Sequence, residues 1–240
     1  MSTPADMGAV GPPLVGWVVD AQVDFLRPDG RLYVRDLFDD SDAGAAQIVP
    51  ALEDVVGWMR DRCAVVVYTG DWHGHEDPEI DSVAPDPEAG TYPPHCMGRS
   101  SDADERAGAE IIGEIRPAGP LILPHDGGLA DAEQTARRAV DGRLPVFVQK
   151  TRFDVFEGNA ACEAFVGALV AALGGSTTFV VAGVARDVCV TQAVDGLIER
   201  GYDVAAVRDA TWGLGLEPEE VTLERWAGVG RVVTVSELLS

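Results

Sequence analysis

Seven short runs of apolar, mainly β-branched residues recur along the chain, and helical patterns separate most of them. Uninterrupted apolar runs of this kind are typical of strands that are buried on both faces, as in a parallel sheet. Alternating strands and helices predict an α/β fold, a single doubly wound and mainly parallel sheet with helices on both faces. The predicted strands are residues 14–19, 64–68, 121–123, 146–148, 178–182, 204–207 and 232–235. The predicted helices are residues 45–62, 130–140, 160–173, 189–200 and 217–226.

We expect one domain spanning residues 1–240, because the chain shows no internal repeat, no low-complexity linker and no break in composition. Within it, residues 1–13 are expected to form a flexible N-terminal segment. Two segments interrupt the alternation of strands and helices: residues 70–99, rich in Asp, Glu, His and Pro, and residues 113–143. Long irregular segments in compact domains are more often functional than idle.

The charge balance restricts the classes of partner. The chain has 18 Lys plus Arg against 40 Asp plus Glu, a formal net charge of −22, and its sequence has no basic cluster to neutralise phosphates. We therefore expect no nucleic-acid or membrane partner. The first residues do not read as a signal peptide and no run approaches a membrane span, so we expect a cytoplasmic protein. The four cysteines form no CxxC pair and are expected to be free thiols.

Four predicted strands end at a side chain that can take part in chemistry. Asp20 ends the first strand, Asp71 and His73 follow the second, Lys150 ends the strand PVFVQK, and Cys189 follows FVVAGVARDV. Each has an ordinary structural explanation: a turn cap for Asp20, a loop histidine for His73, a small core side chain for Cys189. In open parallel sheets, however, ligands bind outside the carboxyl ends of the strands. Because all four strands deliver such groups to one edge, we expect a functional site there.

Lys150 is the only lysine among the 18 basic residues. A GC-rich genome depletes lysine, so the residue could be a chance survivor; alternatively, the site requires a compact ammonium that arginine cannot replace. Its position at a strand end favours the second interpretation. A thiol at a helix start beside a cation has a lowered pKa, so we expect Cys189 to be an activated nucleophile. Asp20 would accept its proton, and backbone N–H groups near Ala185 and Cys189 would stabilise the oxyanion.

A divalent-metal site is also predicted. Asp71 and His73 in DWH, with His95 in YPPHC, are side chains that bind borderline metals, and a Glu could complete the set. Glu79 and Glu88 compete for the fourth position, and Glu79 is our choice. The alternative is a solvated acidic loop. His75 and His125 lack comparable surroundings and are expected to be surface loop residues.

These residues resemble those of the isochorismatase-like cysteine hydrolases, and in particular the nicotinamidases among them. The resemblance extends over about residues 14–210, and DWH together with PPHC points to the nicotinamidase branch. It implies the isochorismatase-like hydrolase fold. The matching segments are DAQVDF, GRLYV, GDWH, YPPHCMG, QKTRFDVF and VAGVARDVCVTQAVDGLIERGYDVAAVRDA.

Residue by residue, the resemblance implies a catalytic triad of Asp20, Lys150 and Cys189. It also implies a cis peptide between Val184 and Ala185, with N–H groups of Ala185 and Cys189 forming the oxyanion hole. One divalent ion, Zn, Fe or Mn, would receive the pyridine nitrogen. The implied metal ligands are Asp71, His73, His95 and a carboxylate taken as Glu79, and the implied pocket residues are Phe25, Tyr92 and Val184, with Gln22 in a structural role.

One segment departs from the pattern of typical nicotinamidases. Residues 119–144, which contain His125, read as an insertion between His95 and Lys150. We expect this insertion to alter either the mouth of the pocket or a contact between subunits. The resemblance therefore constrains the identity of the substrate less than it constrains the mechanism.

The leading hypothesis is a cysteine-dependent amidohydrolase that converts nicotinamide and water to nicotinate and ammonia through a thioester. A second hypothesis keeps the triad and changes the substrate to another small or cyclic amide. A third, of a different class, is a non-catalytic binding module on the same fold. An isochorismate hydrolase is disfavoured because that chemistry does not use the thiol. The expected partners are a small-molecule amide substrate and further copies of the chain in a homo-oligomer.

Overall fold

The predicted strands form one seven-stranded sheet in which every pair of neighbours runs parallel. The computed structural model describes residues 11–240, so most of the predicted flexible segment lies outside the described residues. The order across the sheet is β3-β4-β2-β1-β5-β6-β7. The strands are β1 (Leu14–Val19), β2 (Val65–Asp71), β3 (Leu121–Leu123), β4 (Val146–Lys150), β5 (Thr178–Val184), β6 (Asp203–Trp212) and β7 (Arg231–Val233).

Helices join the strands and cover both faces of the sheet. Two of the predicted helices begin with a different kind of turn: a 3-10 turn, Ala45–Ile48, precedes α2, and a π-helical turn, Arg186–Val190, precedes α7. The helices of the described residues are α1 (Val23–Leu26), α2 (Val49–Arg62), α3 (Ala103–Gly108), α4 (Leu129–Gly142), α5 (Val155–Gly158), α6 (Cys162–Ala172), α7 (Thr191–Glu199), α8 (Glu219–Val229) and α9 (Val235–Leu239).

Several strand boundaries differ from the prediction. The strand predicted at residues 64–68 continues to Asp71, so Asp71 ends its strand rather than following it, whereas Lys150 ends β4 as predicted. The strands predicted at residues 178–182 and 204–207 continue to Val184 and Trp212. The strand predicted at residues 232–235 is wrong at its end, because Thr234 caps a helix. The Thr234 hydroxyl accepts from the Glu237 N–H at 3.3 Å, while the Glu237 carboxylate accepts from the Thr234 N–H at 2.7 Å. This reciprocal pair is a capping box.

Burial on both faces of the sheet explains the continuous apolar runs. Along β1, Trp17 and Val19 face one core together with Phe165 of α6. Val18 faces the other core with Met59 of α2. These five side chains are 0 to 1% exposed. Alternate residues of each strand thus enter different cores, as expected for a sheet between two helical layers.

The segment predicted as an insertion, residues 119–144, is part of this sheet. It supplies the edge strand β3, which pairs with β4, and the helix α4. Ala132, Ala136 and Ala139 of α4 are buried in the same core as α6. The segment therefore extends the central sheet by one strand and one helix.

The strand order reverses beside β1, which lies between β2 and β5. At such a switch point the loops after adjacent strands diverge to opposite faces and leave a crevice at the carboxyl ends. Asp20 directly follows β1, Asp71 ends β2 and the turn containing Cys189 follows β5. The topology therefore delivers the predicted polar residues to one place. No helix within residues 11–240 has the length and apolar character needed to cross a membrane.

Gly183 allows β5 to approach β1 at this crevice. Its φ is +127°, and a Cβ added there would lie 2.0 Å from the backbone oxygen of Val19. We expect Gly183→Ala to lower the free energy of unfolding by about 2 kcal/mol or more, since both the backbone angle and the contact are unfavourable. Urea denaturation followed by circular dichroism measures this change.

The matched control is Gly167→Ala in α6, where an added Cβ has no atom within 4 Å. This change is expected to raise stability by about 0.5–1 kcal/mol, because alanine favours helix over glycine. Equal effects of the two substitutions would contradict the close approach of β5 to β1.

Candidate active site

Lys150 lies at the centre of the crevice and is almost completely buried, with 1% of its surface exposed. Its Nζ is 2.9 Å from Asp20 Oδ2 and 3.8 Å from Cys189 Sγ. The structure thus brings together the three residues of the predicted triad. Lys150 forms a further ion pair with Asp71, whose side chain was predicted only as a metal ligand.

The contact between Lys150 and Asp71 follows from the strand order. β2 and β4 are neighbours, and Asp71 and Lys150 are directly paired in their register. Directly paired residues of adjacent strands lie close together on the same side of a sheet. The sequence contains both strands but not their adjacency, so only the sheet order could have predicted this pair.

Asp20 adopts a left-handed backbone conformation, with φ of 47°, and is fully buried. Its Oδ1 accepts a hydrogen bond of 2.7 Å from the Thr69 hydroxyl. Burial raises the pKa of Asp20 above its usual range, although Lys150 acts in the opposite direction. For Asp71, burial also opposes ionisation, but Lys150 and His73 hold the pKa of its carboxyl well below its usual range. The two carboxylates on Lys150 are therefore unequal, and Asp20 is the one able to take up a proton.

The expectation of a lowered Cys189 pKa is corrected by the structure. Burial raises the pKa of the thiol well above its usual range, the charge of Lys150 opposes this rise, and the charges of Asp20 and Asp71 add to it. The physical reason is first the burial of the sulfur, which disfavours the thiolate, and then the two carboxylates that share Lys150. Asp20 Oδ2 and the Cys189 sulfur both contact Lys150 Nζ, at 2.9 and 3.8 Å, so the acceptor for the thiol proton lies on the same ammonium. Cys189 also lies in the π-helical turn, two residues before α7 begins.

The peptide bond between Val184 and Ala185 is cis, as the resemblance implies. The carbonyl oxygen of Ala185 accepts hydrogen bonds from the N–H groups of Val188 and Val190 at 3.1 and 3.0 Å. These bonds fix the turn that carries Cys189. Ala185 and Cys189 line the same cavity, and their assignment as the oxyanion hole stays a prediction.

A narrow, largely apolar cavity opens onto the Cys189 sulfur. Phe25 and Tyr92 line it as predicted, whereas Val184 is fully buried and does not. The ring of Tyr92 contacts that of Phe153, with centroids 5.5 Å apart. Sequence reasoning missed five further lining residues, three of them inside the quoted segments GRLYV and QKTRFDVF. These five are Leu32, Val34, Phe153, Val188 and Leu214.

Next to this cavity, the ligand atoms of Asp71, His73 and His95 lie within 4.8 Å of one another. All three side chains are at most 1% exposed. Asp71 Oδ2 is 3.5 Å from His73 Nε2 and 3.6 Å from His95 Nε2. Among the described residues, Asp71 Oδ2 and His73 Nε2 have no hydrogen-bond partner. Buried polar atoms without partners are rare, so this set fits a bound cation.

The second nitrogen of each histidine is fixed by a hydrogen bond. His95 Nδ1 is 2.7 Å from the Pro93 carbonyl oxygen, which can only accept, so Nδ1 carries the proton. His73 Nδ1 is 3.1 Å from Asp77 Oδ2. Both rings thus present Nε2 to Asp71, the arrangement expected of metal-binding histidines. Burial opposes protonation of His73, but without a cation the neighbouring Asp71 and Asp77 raise its pKa to about 9.

The structure separates the two glutamates that competed for the fourth ligand position. Glu79 is buried, its Oε1 accepts from the Phe153 N–H at 3.0 Å, and its Oε2 has no partner among the described residues. Burial raises the pKa of Glu79 to about 7. Its carboxylate is nevertheless outside the cluster of three. Glu88 is exposed in the 3-10 turn Pro87–Ala89. The geometry favours Glu79 over Glu88, and its role as a ligand stays a prediction.

Other predicted residues lie around this site. The Gln22 side chain accepts from the Asp71 N–H and donates to its carbonyl oxygen, both at 2.8 Å, which confirms its structural role. His75 is exposed and pairs with Glu105, as expected of a surface histidine. His125 is partly buried in the loop between β3 and α4. Asp24 was missed: its carboxylate accepts from the Cys96 N–H at 2.7 Å and so holds the segment after His95.

One family profile matches part of this chain. The profile of the Isochorismatase domain family matches residues 130–237, which include Lys150 and Cys189. A search of curated proteins finds no significant match to this sequence. The family match and the structural neighbours confirm the predicted resemblance to the isochorismatase-like hydrolases.

Three solved structures share the fold at low sequence identity. N-carbamoylsarcosine amidase from Thermoplasma acidophilum is 22% identical with a TM-score of 0.61, over 93% of this chain and 96% of that one. A nicotinamidase/pyrazinamidase from Bacillus subtilis is 16% identical with a TM-score of 0.63, over 92% and 99%. A pyrazinamidase from Pyrococcus horikoshii, in complex with zinc, is 23% identical with a TM-score of 0.61, over 93% and 99%. The chain therefore has the isochorismatase-like hydrolase fold.

The position of Glu79 generates a test of the metal site. We expect Glu79→Gln to weaken zinc binding by about 10-fold or more, because a buried carboxylate beside the cluster would be lost. Glu88→Gln is the matched control, since Glu88 is exposed, and should leave the affinity unchanged. Titration of the chelator-treated protein with zinc, followed by calorimetry, measures both. Equal affinities in the two variants would reject Glu79 as a ligand.

The burial of Lys150 generates a second test. Lys150→Arg keeps the charge, but the larger guanidinium must displace Asp20, Asp71 or Cys189. A displacement of about 1 Å can reduce a rate by about 10²-fold, so we expect at least that loss in kcat/KM for amide hydrolysis. The control is Arg152→Lys, two residues along at an exposed position, which should retain activity. Near wild-type turnover in Lys150→Arg would indicate that the site does not need a lysine and that Lys150 is a chance survivor of codon bias.

Proposed function

We propose that the protein is a cysteine-dependent amidase for small, uncharged carboxamides, with nicotinamide as the leading substrate. The observation that carries the proposal is the buried contact of Lys150 with Asp20, Asp71 and Cys189. An isolated buried charge is strongly unfavourable, and even paired charges stabilise a fold poorly. A binding module has no need of a matched acid, cation and thiol, so the third hypothesis of the sequence is disfavoured.

The side chains support the following reaction. Asp20 accepts the proton of the Cys189 thiol as the sulfur attacks the carboxamide carbon, and a C–S bond forms. N–H groups of Ala185 and Cys189 would donate to the resulting oxyanion. Asp20 then returns the proton to the leaving nitrogen, the C–N bond breaks and ammonia departs. Water attacks the thioester with Asp20 as base, which releases nicotinate and restores the thiol.

Asp71, His73 and His95 would hold a divalent ion, and Glu79 would assist them. Two imidazole nitrogens and a carboxylate oxygen suit Zn, Fe or Mn. Such an ion supplies a Lewis-acidic position for a pyridine nitrogen beside the sulfur. The zinc in the Pyrococcus horikoshii pyrazinamidase is consistent with this proposal.

The cavity distinguishes between substrates. Neither arginine nor lysine lines it, and the charge of Lys150 beneath it is balanced by Asp20 and Asp71. A substrate that carries a carboxylate, such as N-carbamoylsarcosine, would therefore find no arginine or lysine partner in the cavity wall. Aromatic walls formed by Phe25, Tyr92 and Phe153 suit a flat ring. A neutral aromatic amide fits these features better, and another small or cyclic neutral amide is the alternative.

We also propose that the protein acts in the cytoplasm and has no nucleic-acid or membrane partner. The net charge of −22 supports this part, because such a chain is repelled by polyanions. Self-association into a homo-oligomer also remains part of the proposal. Light scattering during size-exclusion chromatography tests it, and a monomer at all concentrations would reject it.

Ammonia release measured across a panel of amides tests the function. We expect the highest kcat/KM for nicotinamide or pyrazinamide and a value lower by about 10²-fold or more for N-carbamoylsarcosine, whose carboxylate would have no arginine or lysine partner in the cavity wall. Cys189→Ala should abolish turnover, whereas Cys162→Ala, in the core at the start of α6, should retain it. A preference for N-carbamoylsarcosine would overturn the substrate class. Turnover in Cys189→Ala would overturn the mechanism.

A further inference from the structure

A second cavity, of about 370 Å³, lies at the edge of the sheet opposite the candidate active site. It is lined by residues at the amino ends of β2 and β4, whose carboxyl ends carry Asp71 and Lys150. A volume of this size is typical of sites for small molecules. Along β2 the two ends are about 20 Å apart at ~3.3 Å per residue. A small molecule in this cavity would therefore not reach the catalytic residues.

The lining of this cavity is unusual for so acidic a protein. Arg60 from the last turn of α2, Arg116 from the segment before β3 and Arg143 from the end of α4 all line it. Not one of the lining residues is acidic, although the chain has 40 Asp plus Glu and 18 Lys plus Arg. Three arginines from separate segments thus line one cavity whose wall contains no acidic residue. This is a local concentration of positive charge against a net charge of −22.

Two of the three arginines are not neutralised. Arg116 pairs with Glu110 at 2.8 Å. Within residues 11–240, Arg60 and Arg143 form no ion pair. Arg60 Nη2 donates to the Ile115 carbonyl oxygen at 2.7 Å, and Arg143 Nη2 donates to that of Cys63 at 3.3 Å.

These bonds orient both side chains while leaving donors unused. The Nε and Nη1 groups of Arg60 and Arg143 make no hydrogen bond to the described residues. The buried Tyr68 hydroxyl, 3.4 Å from Arg60 Nη2, adds a further polar group to the cavity wall. A guanidinium presents its donors in a planar fork that matches the oxygens of a phosphate. Two uncompensated guanidinium charges also match the charge of a phosphate group near neutral pH, which is close to −2.

We propose that this cavity binds a dianionic phosphate group through Arg60 and Arg143. The remaining wall includes Val66, Pro117 and Pro145, which offer apolar surface to the body of a phosphate ester. The site is separate from the amidase site and does not depend on the proposed function. Cations near a helix C-terminus also stabilise the helix dipole, and this role alone would explain the position of Arg60. Arg62 lies in the same last turn of α2 but outside this cavity. It can therefore share the role at the helix terminus but not the binding of phosphate, and a comparison of the two arginines separates the two roles.

Isothermal titration calorimetry at an ionic strength of about 0.15 M, where distant surface charges are screened, tests the site with adenosine monophosphate, inorganic phosphate and adenosine as probes. We expect one molecule of adenosine monophosphate to bind per chain, and adenosine to bind at least about 10-fold more weakly, since charge-assisted hydrogen bonds are lost. Tighter binding of adenosine monophosphate than of inorganic phosphate identifies an ester as the ligand. Equal binding of the two identifies the free anion.

Arg60→Gln and Arg143→Gln should each weaken binding by about 10-fold or more. Arg62→Gln removes the same charge outside the cavity and should leave binding within about twofold, as a screened surface charge. Thermal midpoints without ligand show whether each variant is folded. If Arg60→Gln does not fold, the result for Arg143→Gln decides the test. Absence of binding by both phosphate probes would overturn the proposal. So would equal weakening by Arg62→Gln, or adenosine binding as tightly as adenosine monophosphate.

Discussion

The ion pairs of buried Lys150 are the interaction on which the candidate active site depends. One ammonium holds the Asp20 and Asp71 carboxylates together without solvent, and the Cys189 thiol lies 3.8 Å from its nitrogen. Lys150, Asp20 and Asp71 together carry one more negative than positive charge. Burial of the sulfur and this excess of negative charge both favour a protonated Cys189. In the proposed mechanism, activation therefore does not arise from a standing thiolate. The proposal requires Asp20 to accept the proton as the sulfur attacks, and the raised pKa of Asp20 suits that task.

Asp71 connects the two parts of the site. One of its oxygens pairs with Lys150 and the other faces the Nε2 atoms of His73 and His95. Two hydrogen bonds from the Gln22 side chain hold the backbone of Asp71, and so help to fix the carboxylate that both halves of the site share. A cation bound at Asp71 would reduce the negative charge that Lys150 and Cys189 experience. Metal binding and the proton affinity of the triad are thus linked through one carboxylate.

The fold class and the residues at the strand ends could be predicted from the sequence, because apolar runs and strand order along the chain are local information. The pairing of Asp71 with Lys150 could not, since it depends on β4 lying beside β2 in space. The lowered pKa expected for Cys189 was wrong because the sequence shows neither the burial of the sulfur nor the two carboxylates beside Lys150. At Val235 the apolar pattern was misleading. This β-branched residue, predicted to end a strand, begins a helix because Thr234 and Glu237 cap it. The arginine-lined cavity was also invisible, because Arg60, Arg116 and Arg143 are far apart in sequence and no basic cluster marks them.

Rapid acid quenching of the metal-loaded enzyme at saturating nicotinamide, followed by mass spectrometry of its peptides, tests the central claim most directly. The claim is that the Cys189 sulfur attacks the carboxamide and that Asp20 takes its proton. The account predicts a nicotinoyl adduct on the peptide that contains Cys189 during the first turnover, and no adduct on the peptides that contain Cys63, Cys96 or Cys162. Nicotinate formed in the first turnover with no adduct on Cys189 at any quench time would contradict it.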